Sequence, residues 1–177
     1  MVYSDDGGST WELSETPLPH NGEAQLAEVS TGDGASTVLF DGRSKLTGYP
    51  RGLAWSADAG ASFHGITFAT DGSSGISCMA SLLVDPVNHS TLLFSHPAGS
   101  PKGPRSHGVL LRSDDLAKSW SIVSAATPDN IDQMFAYSNL NALPGGSVGL
   151  TFETGDAGCT AAASACRISY RTFPPLT

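Results

Sequence analysis

Five polar side chains with complementary chemistry are spread along the sequence: Glu23, Arg43, Arg105, Tyr137 and Glu153. Two guanidiniums that converge on one point can bind a carboxylate through paired hydrogen bonds. A glutamate beside a tyrosine can take the phenolic proton, which otherwise leaves only near pH 10. Taken singly, each residue has a commoner role, since Arg and Glu usually lie at solvated surfaces and Tyr often packs in a core. The chemical interpretation therefore depends on whether the fold brings the five together.

Predicted β-strands are the elements that would position these side chains. Short apolar or alternating runs bounded by turn residues indicate strands, and long helical patterns are absent. The fold class is therefore predicted to be all-β, with a single domain over residues 1–177. The predicted strands are residues 11–13, 24–30, 36–40, 52–56, 62–68, 75–84, 90–95, 108–113, 119–125, 135–143, 147–153 and 167–173.

A turn motif of the form Ser-x-Asp-x-Gly-x-Ser/Thr-aromatic recurs between these strands. It occupies residues 4–11 and 56–63, and returns at 113–120 with Ala117 in place of the glycine. The Asp can accept N–H bonds from its own turn, the glycine permits a positive φ, and the aromatic ring is expected to be buried. This spacing is typical of the four-stranded blades of a β-propeller. The motif falls between the third and fourth strand of a blade each time. The chain is therefore predicted to hold the last strand of one blade, two whole blades and three strands of another, which is about three blades.

Strand order also predicts which end of the blades each polar side chain occupies. In an antiparallel meander, the start of the first strand and the turn between the second and third strands lie at the same end. The repeated turns lie at the opposite end. The end of the blades away from the repeated turns is therefore predicted to hold five polar residues around the opening of the propeller, which we call the mouth. They are Glu23, Arg43, Arg105, Tyr137 and Glu153. A histidine at position 96 is expected in a loop on the same side.

Charge and composition argue against several classes of function. The chain has nine Lys and Arg and a net charge of −8, whereas a nucleic-acid-binding domain needs a basic face. No apolar run approaches the ~20 residues of a membrane span, and no signal-peptide pattern is expected. The five histidines show no spacing for metal ligands, so neither a metal nor another cofactor is predicted.

The three cysteines give one further expectation. Cys159 and Cys166 flank a loop of small residues between two predicted strands. We predict a disulfide between them, and two unrelated buried thiols are the alternative. A disulfide would favour secretion or another oxidising compartment. Cys78 lies in an apolar strand pattern and is predicted to be a packed core thiol.

Four segments of the sequence resemble, in order, segments of the exo-α-sialidase (neuraminidase) family. One contains a glutamate and, two strands later, an arginine. The second contains another arginine, the third a tyrosine, and the fourth a glutamate. The repeated turns also resemble the Asp-box of that family. The matching segments are residues 22–28 with 40–44, 94–97 with 105–108, 135–140, and 149–153.

The resemblance assigns a role to each of the five residues. Tyr137 matches the nucleophile, and Glu23 matches the catalytic glutamate that serves as its base. Arg43 and Arg105 match two members of an arginine triad that binds the carboxylate of sialic acid. Glu153 matches a supporting residue that orients the remaining triad arginine. The implied partners are sialylated glycans.

The resemblance leaves two family residues without a counterpart. The family's Asp acid/base and its first triad arginine belong to blades that precede the part matched here. Family members are six-bladed propellers, so the chain is expected to be the C-terminal half of a catalytic domain, part of a longer protein, and inactive alone. Trans-sialidase activity stays open, as does a non-catalytic Asp-box propeller that binds a glycan or protein. A glycosidase with two carboxylates ranks lower, because the tyrosine segment has no purpose in that chemistry.

Overall fold

The computed structural model describes residues 1–18, 21–46, 51–69, 77–99, 105–126, 134–156 and 166–176. Within these ranges the chain forms strands joined by turns, with one 3₁₀ turn at Pro144–Gly146. The strands are β1 (Val2–Tyr3), β2 (Glu12–Leu13), β3 (Asn21–Ser30), β4 (Ser36–Ser44), β5 (Arg51–Ser56), β6 (His64–Ala69), β7 (Ser81–Val84), β8 (Leu92–Pro97), β9 (Gly108–Ser113), β10 (Ser121–Ala125), β11 (Met134–Ala142), β12 (Val148–Gly155) and β13 (Arg167–Phe173).

The strands form four antiparallel sheets in which neighbours in sequence are neighbours in space. We call them the first blade (β1–β2), the second (β3–β6), the third (β7–β10) and the fourth (β11–β13). Such meanders are the blades of a propeller, so the predicted all-β class and partial β-propeller are confirmed. Every predicted strand overlaps an observed one. Strand β1 is an addition, because two residues are too few to give a periodic signal.

Two apolar clusters fill the spaces between consecutive blades. Strand β8 contributes to both, since alternate residues of a strand point to opposite faces. Leu92 and Phe94 pack in the cluster shared with the second blade, and Leu93 packs in the cluster shared with the fourth. All three are at most 3% exposed, and burial of each such side chain stabilises the fold by ~1.5–3 kcal/mol. A strand buried on both faces reads as a continuous apolar run in the sequence.

The three repeated turns share one hydrogen-bond pattern. The first Ser hydroxyl accepts the N–H of the residue four positions later, and the Asp carboxylate accepts the N–H of the residue four positions after it. In the second turn these bonds are Gly60 to Ser56 at 2.8 Å and Ser62 to Asp58 at 2.9 Å. The other two turns repeat both bonds within 0.2 Å. Ala117, which replaces the glycine, adopts φ +62°, a conformation that strains a residue with a Cβ.

The aromatic residues of these turns differ in burial. Phe63 is 4% exposed and packs edge-on against Phe40, and Trp120 is partly buried in the cluster between the second and third blades. Trp11 is 64% exposed, contrary to the expectation from the motif. Its indole N–H donates to the Gly8 carbonyl at 3.1 Å, so the ring folds back on its own turn instead of packing between blades.

Cys78 is a buried free thiol, as predicted. The predicted disulfide involves Cys159, which lies outside the described residues, so that pairing stays a prediction. In the part of the chain that the structure describes, no helix has the length and apolar character to cross a membrane.

Candidate active site

Glu23 lies on a β-bulge at the start of β3. Asn21 pairs with Ser44 of β4 and Ala24 pairs with Gly42, so β3 has one residue more than β4 over this interval. A bulge changes the direction of side chains along a strand and is frequent beside functional sites. The local irregularity of β3 therefore sets where the Glu23 carboxylate points.

Tyr137 lies on a second bulge of the same kind, in β11. Phe135 pairs with Thr154 of β12 and Ser138 pairs with Phe152, which again leaves one extra residue on the first strand of the blade. Two candidate catalytic side chains thus stand on equivalent bulges of the second and fourth blades. The sequence pattern gave no indication of either bulge.

Glu153 faces the Tyr137 bulge from β12. Its carboxylate accepts the backbone N–H of Tyr137 at 3.3 Å. A carboxylate that accepts the N–H of an irregular strand residue satisfies a donor that the sheet ladder leaves open. Glu153 therefore contacts the tyrosine segment itself, which is a contact that the sequence did not indicate.

The side chains of Tyr137, Glu23 and Arg43 form a continuous hydrogen-bonded group. The Tyr137 hydroxyl donates to one Glu23 oxygen at 2.5 Å, and Arg43 Nη1 donates to the other at 2.8 Å. Arg43 Nε donates to the Ser77 hydroxyl at 3.3 Å. The Arg43 and Glu23 side chains keep 31% and 38% of their surface exposed, so a ligand can reach the group.

The hydrogen bonds fix where the proton of this group resides. Bonding to Arg43, and then to Tyr137, lowers the pKa of the Glu23 carboxyl. The bond to Glu23, followed by burial, raises the pKa of the Tyr137 phenol. In the resting site the glutamate is therefore ionised and the tyrosine is neutral. The raised pKa means that a free Tyr137 phenolate is disfavoured in this arrangement.

Arg105 approaches the same tyrosine from the third blade. Its guanidinium carbon lies 5.3 Å from the centre of the Tyr137 ring, a cation–π distance. Its backbone carbonyl accepts the N–H of Phe135 at 3.2 Å, which ties the segment before β9 to the start of β11. Arg105 forms no salt bridge with a described residue. A positive charge thus lies above the tyrosine, where an anion can meet it.

A buried ion pair supports the mouth from below. Arg51, at the start of β5, lies opposite Arg43 in the sheet register. Its guanidinium donates to both Asp41 oxygens at 2.9 and 2.6 Å and to the Cys78 carbonyl at 2.7 Å. Both partners are at most 3% exposed. An Asp and an Arg directly beside two neighbouring predicted strands, at residues 36–40 and 52–56, are the sequence signal that points to this pair.

The histidine at position 96 lies in β8 and not in a loop, so that expectation was wrong. His96 is 1% exposed, and its Nδ1 bonds to the Pro97 carbonyl at 2.9 Å. Burial, with a smaller effect from Arg51, lowers the pKa of the imidazole to about 3. His96 is therefore neutral at physiological pH and belongs to the core below the mouth.

The structure brings together the side chains that strand order assigned to one mouth. Glu23 and Arg43 come from the second blade, Arg105 from the third, and Tyr137 and Glu153 from the fourth. Each is linked to at least one of the others by a hydrogen bond or a cation–π contact.

Comparison with known proteins gives a relative in sequence. No known family profile matches the chain. A sialidase of Micromonospora viridifaciens is 31% identical over 169 residues, which cover 87% of this chain and 23% of the relative. The chain therefore spans about a quarter of the length of this curated relative.

Solved structures show the same fold. The intramolecular trans-sialidase of Ruminococcus gnavus, in complex with oseltamivir carboxylate, aligns with a TM-score of 0.66 and 22% identity, over 98% of this chain and 37% of that one. The sialidase of Trypanosoma rangeli, in complex with sialic acid, aligns with a TM-score of 0.67 and 19% identity, over 96% of this chain and 26% of that one. At these identities the likeness establishes the propeller architecture.

Proposed function

Because the chain belongs to the sialidase family, we propose that it contributes the nucleophile side of an exo-α-sialidase active site. The activity is hydrolysis of terminal sialic acid from glycoconjugates. The observation that carries the proposal is the 2.5 Å hydrogen bond between Tyr137 and Glu23. A tyrosine held by an ionised glutamate beside arginines suits a sugar whose carboxylate lies next to the anomeric carbon, since a carboxylate nucleophile would be repelled there.

In the first step the Tyr137 oxygen bonds to the anomeric carbon while its proton passes to Glu23. The bond from that carbon to the aglycone oxygen breaks, and the aglycone oxygen leaves with the electron pair and takes a proton from the family's acid. Water then attacks the same carbon and gives a proton to the conjugate base of that acid, while the tyrosine oxygen leaves with the electron pair and Glu23 returns the phenolic proton to it. Two inversions give overall retention of configuration. The lowered pKa of Glu23 keeps the base ionised before the first step.

The two arginines are proposed to hold the substrate carboxylate. Arg43 uses one Nη on Glu23 and its Nε on Ser77, which leaves further N–H donors of the same guanidinium for a ligand. Arg105 lies over the tyrosine ring, where its positive charge can attract the carboxylate of an anionic sugar. Glu153 supports the site through the Tyr137 backbone.

The remaining part of the proposal concerns the chain as a unit. Residues 1–177 form part of one propeller domain, corresponding to the C-terminal half of a sialidase catalytic domain. The family resemblance assigns no residue of this chain to the Asp acid/base or to the first triad arginine. The isolated chain should therefore bind sialic acid weakly and should not turn over a sialoside.

A chimeric enzyme tests the proposal directly. The matching 169-residue region of the Micromonospora viridifaciens sialidase would be replaced by the corresponding part of this chain. The chimera should hydrolyse a fluorogenic sialoside, and Tyr137→Phe should abolish turnover. Tyr170→Phe, which changes an exposed tyrosine of β13, should leave turnover unchanged.

Two results would contradict the proposal. Turnover that survives Tyr137→Phe in a folded chimera would remove the tyrosine from the mechanism. A folded chimera that binds sialosides regardless of Tyr137 and never turns them over would favour the non-catalytic binding propeller. Release of free sialic acid, as opposed to transfer to an added sugar acceptor, separates a hydrolase from a trans-sialidase. Turnover by the 177-residue chain alone would contradict its proposed inactivity.

A further inference from the structure

Gln25 interrupts the apolar face of β3. The next residues on that face, Ala27 and Val29, are buried in the cluster between the second and third blades. The Gln25 amide oxygen instead accepts the backbone N–H of Leu82 at 2.6 Å and the hydroxyl of Ser81 at 3.0 Å, both on β7. Because these hydrogen bonds form in only one arrangement of the two strands, they specify how β3 lies against β7.

Ser81 extends this connection to the fourth blade. Its hydroxyl, which donates to Gln25, accepts the backbone N–H of Leu140 on β11 at 2.8 Å. Ser81 is 1% exposed and Leu140 is 5% exposed, so water does not replace either bond readily. One buried hydroxyl on β7 therefore joins the first strands of the second, third and fourth blades.

A second serine pair anchors β11 on the same side. Ser95 lies opposite Ser81 in the β7–β8 register. Its hydroxyl lies 2.8 Å from the hydroxyl of Ser138, which also donates to the Ser95 carbonyl at 3.2 Å. Ser138 follows Tyr137 directly. The strand that carries the tyrosine is thus fixed to the third blade immediately after its bulge.

The Tyr137–Glu23 contact needs such a connection, because β3 and β11 belong to different sheets with β7 between them. Each bulge orients its own side chain within its own blade. Neither bulge sets the distance between blades. Gln25 is two residues from Glu23, and Leu140 is three residues from Tyr137, so the buried bonds act close to both side chains.

We propose that Gln25 and Ser81 are positioning residues, which hold β3 and β11 at the separation that lets Tyr137 bond to Glu23. This inference rests on the proposed function only for its importance to catalysis. The bridge itself consists of the bonds from Ser81 to Gln25, from Leu82 to Gln25 and from Leu140 to Ser81. Loss of the bridge lets the two strands separate and weakens the tyrosine–glutamate bond.

The test measures that bond by NMR, without any substrate. The 177-residue chain is labelled with ¹³Cζ-tyrosine, and the Tyr137 resonance is identified by its loss in Tyr137→Phe. The bond to Glu23 raises the pKa of the Tyr137 phenol. In Gln25→Met and in Ser81→Ala the pKa of Tyr137 should move down toward the ordinary tyrosine value, and its resonance at pH 7 should shift toward that of an exposed tyrosine.

Thr37→Val is the matched control. Thr37 donates its hydroxyl to the Ser56 carbonyl at 2.9 Å within the second blade. Its removal deletes one partly buried hydrogen bond of similar kind and should leave the Tyr137 resonance and titration unchanged. If all three variants changed the resonance and titration of Tyr137, the bridge would contribute only to general stability. The positioning role would then be wrong.

Other outcomes separate this inference from the proposed function. If Tyr137 keeps its wild-type resonance and titration in both folded variants, the positioning role is wrong while the tyrosine–glutamate pair remains. If wild-type Tyr137 already titrates as an exposed tyrosine, the pair itself is absent and the proposed function fails with it. Should Ser81→Ala not fold, Gln25→Met decides alone, since Gln25 is only partly buried.

Discussion

The buried histidine predicts a measurable loss of stability in mild acid. The pKa of His96 is about 3 in the folded chain, against an ordinary value of 6.5. The unfolded chain therefore binds a proton at a pH where the folded chain does not, and stability falls as the pH drops below 6.5. With about 1.36 kcal/mol for each pKa unit, the free energy of unfolding should fall by about 2 kcal/mol from pH 7 to pH 5. Below pH 3 the loss reaches about 5 kcal/mol.

The assay is urea denaturation at pH 7, 6 and 5, followed by tryptophan fluorescence. Trp120 is a suitable reporter, since its ring centre lies 5.3 Å from that of Phe94, which in turn lies 5.1 Å from the His96 ring. The carboxylates of the repeated turns do not interfere, because the pKa of Asp58 is about 2 and its contribution is lost only as the pH falls toward that value.

His96→Asn is the informative variant. The asparagine amide can still donate to the Pro97 carbonyl, which now accepts from the imidazole at 2.9 Å, but it has no proton to gain. Its stability should be nearly constant between pH 7 and pH 5. The control His64→Asn, at an exposed position of β6, should keep the wild-type loss. A wild-type profile that is flat, or a His96→Asn profile as steep as wild type, would refute the reasoning.

Three further outcomes are expected. Arg51→Met should lower the free energy of unfolding by about 3–5 kcal/mol, because Asp41 is left buried and unpaired. The double variant Arg51→Met with Asp41→Leu should recover most of this loss in the same urea titration. No recovery would contradict the ion-pair explanation. Ser56→Ala, at the fully buried first residue of the second repeated turn, should destabilise by about 1–2 kcal/mol. Ser4→Ala, in the exposed first turn, should have a smaller effect, and equal effects would show that burial does not matter. If the two cysteines of the last loop pair as predicted, the denatured but unreduced chain should release one thiol in a thiol titration, and three would exclude the disulfide.

Much of the fold was predictable because its signals are local. Strands between turn-forming residues give short apolar runs, and the Ser-x-Asp turns repeat with few changes, so strand order followed from the sequence. Strand order then assigned Glu23 and Tyr137 to the same mouth, and the structure has them 2.5 Å apart. The ends of strands are where a meander repeats its geometry, which is why this step worked.

The parts that could not be predicted depend on pairing between distant residues. A bulge is defined by the register of two strands, so the extra residues beside Glu23 and Tyr137 have no local signature. The burial of His96 depends on residues distant in sequence, such as Arg51 of the second blade, and a histidine before a proline was predicted to lie in a loop. Trp11 misled for the same reason, because the motif describes a turn and does not determine what packs against its aromatic ring.

The tyrosine–glutamate bond joins residues 114 positions apart, whereas the Arg43–Glu23 pair joins residues only 20 apart within one blade. On a ribosome that adds ~5–20 residues per second, Glu23 emerges about 6–23 s before Tyr137. Arg43 emerges about 1–4 s after Glu23, so its guanidinium can pair with the carboxylate for most of that interval. The nascent chain thus offers a prepared acceptor to the phenol, and the last long-range bond of the site forms on a partner that is already in place.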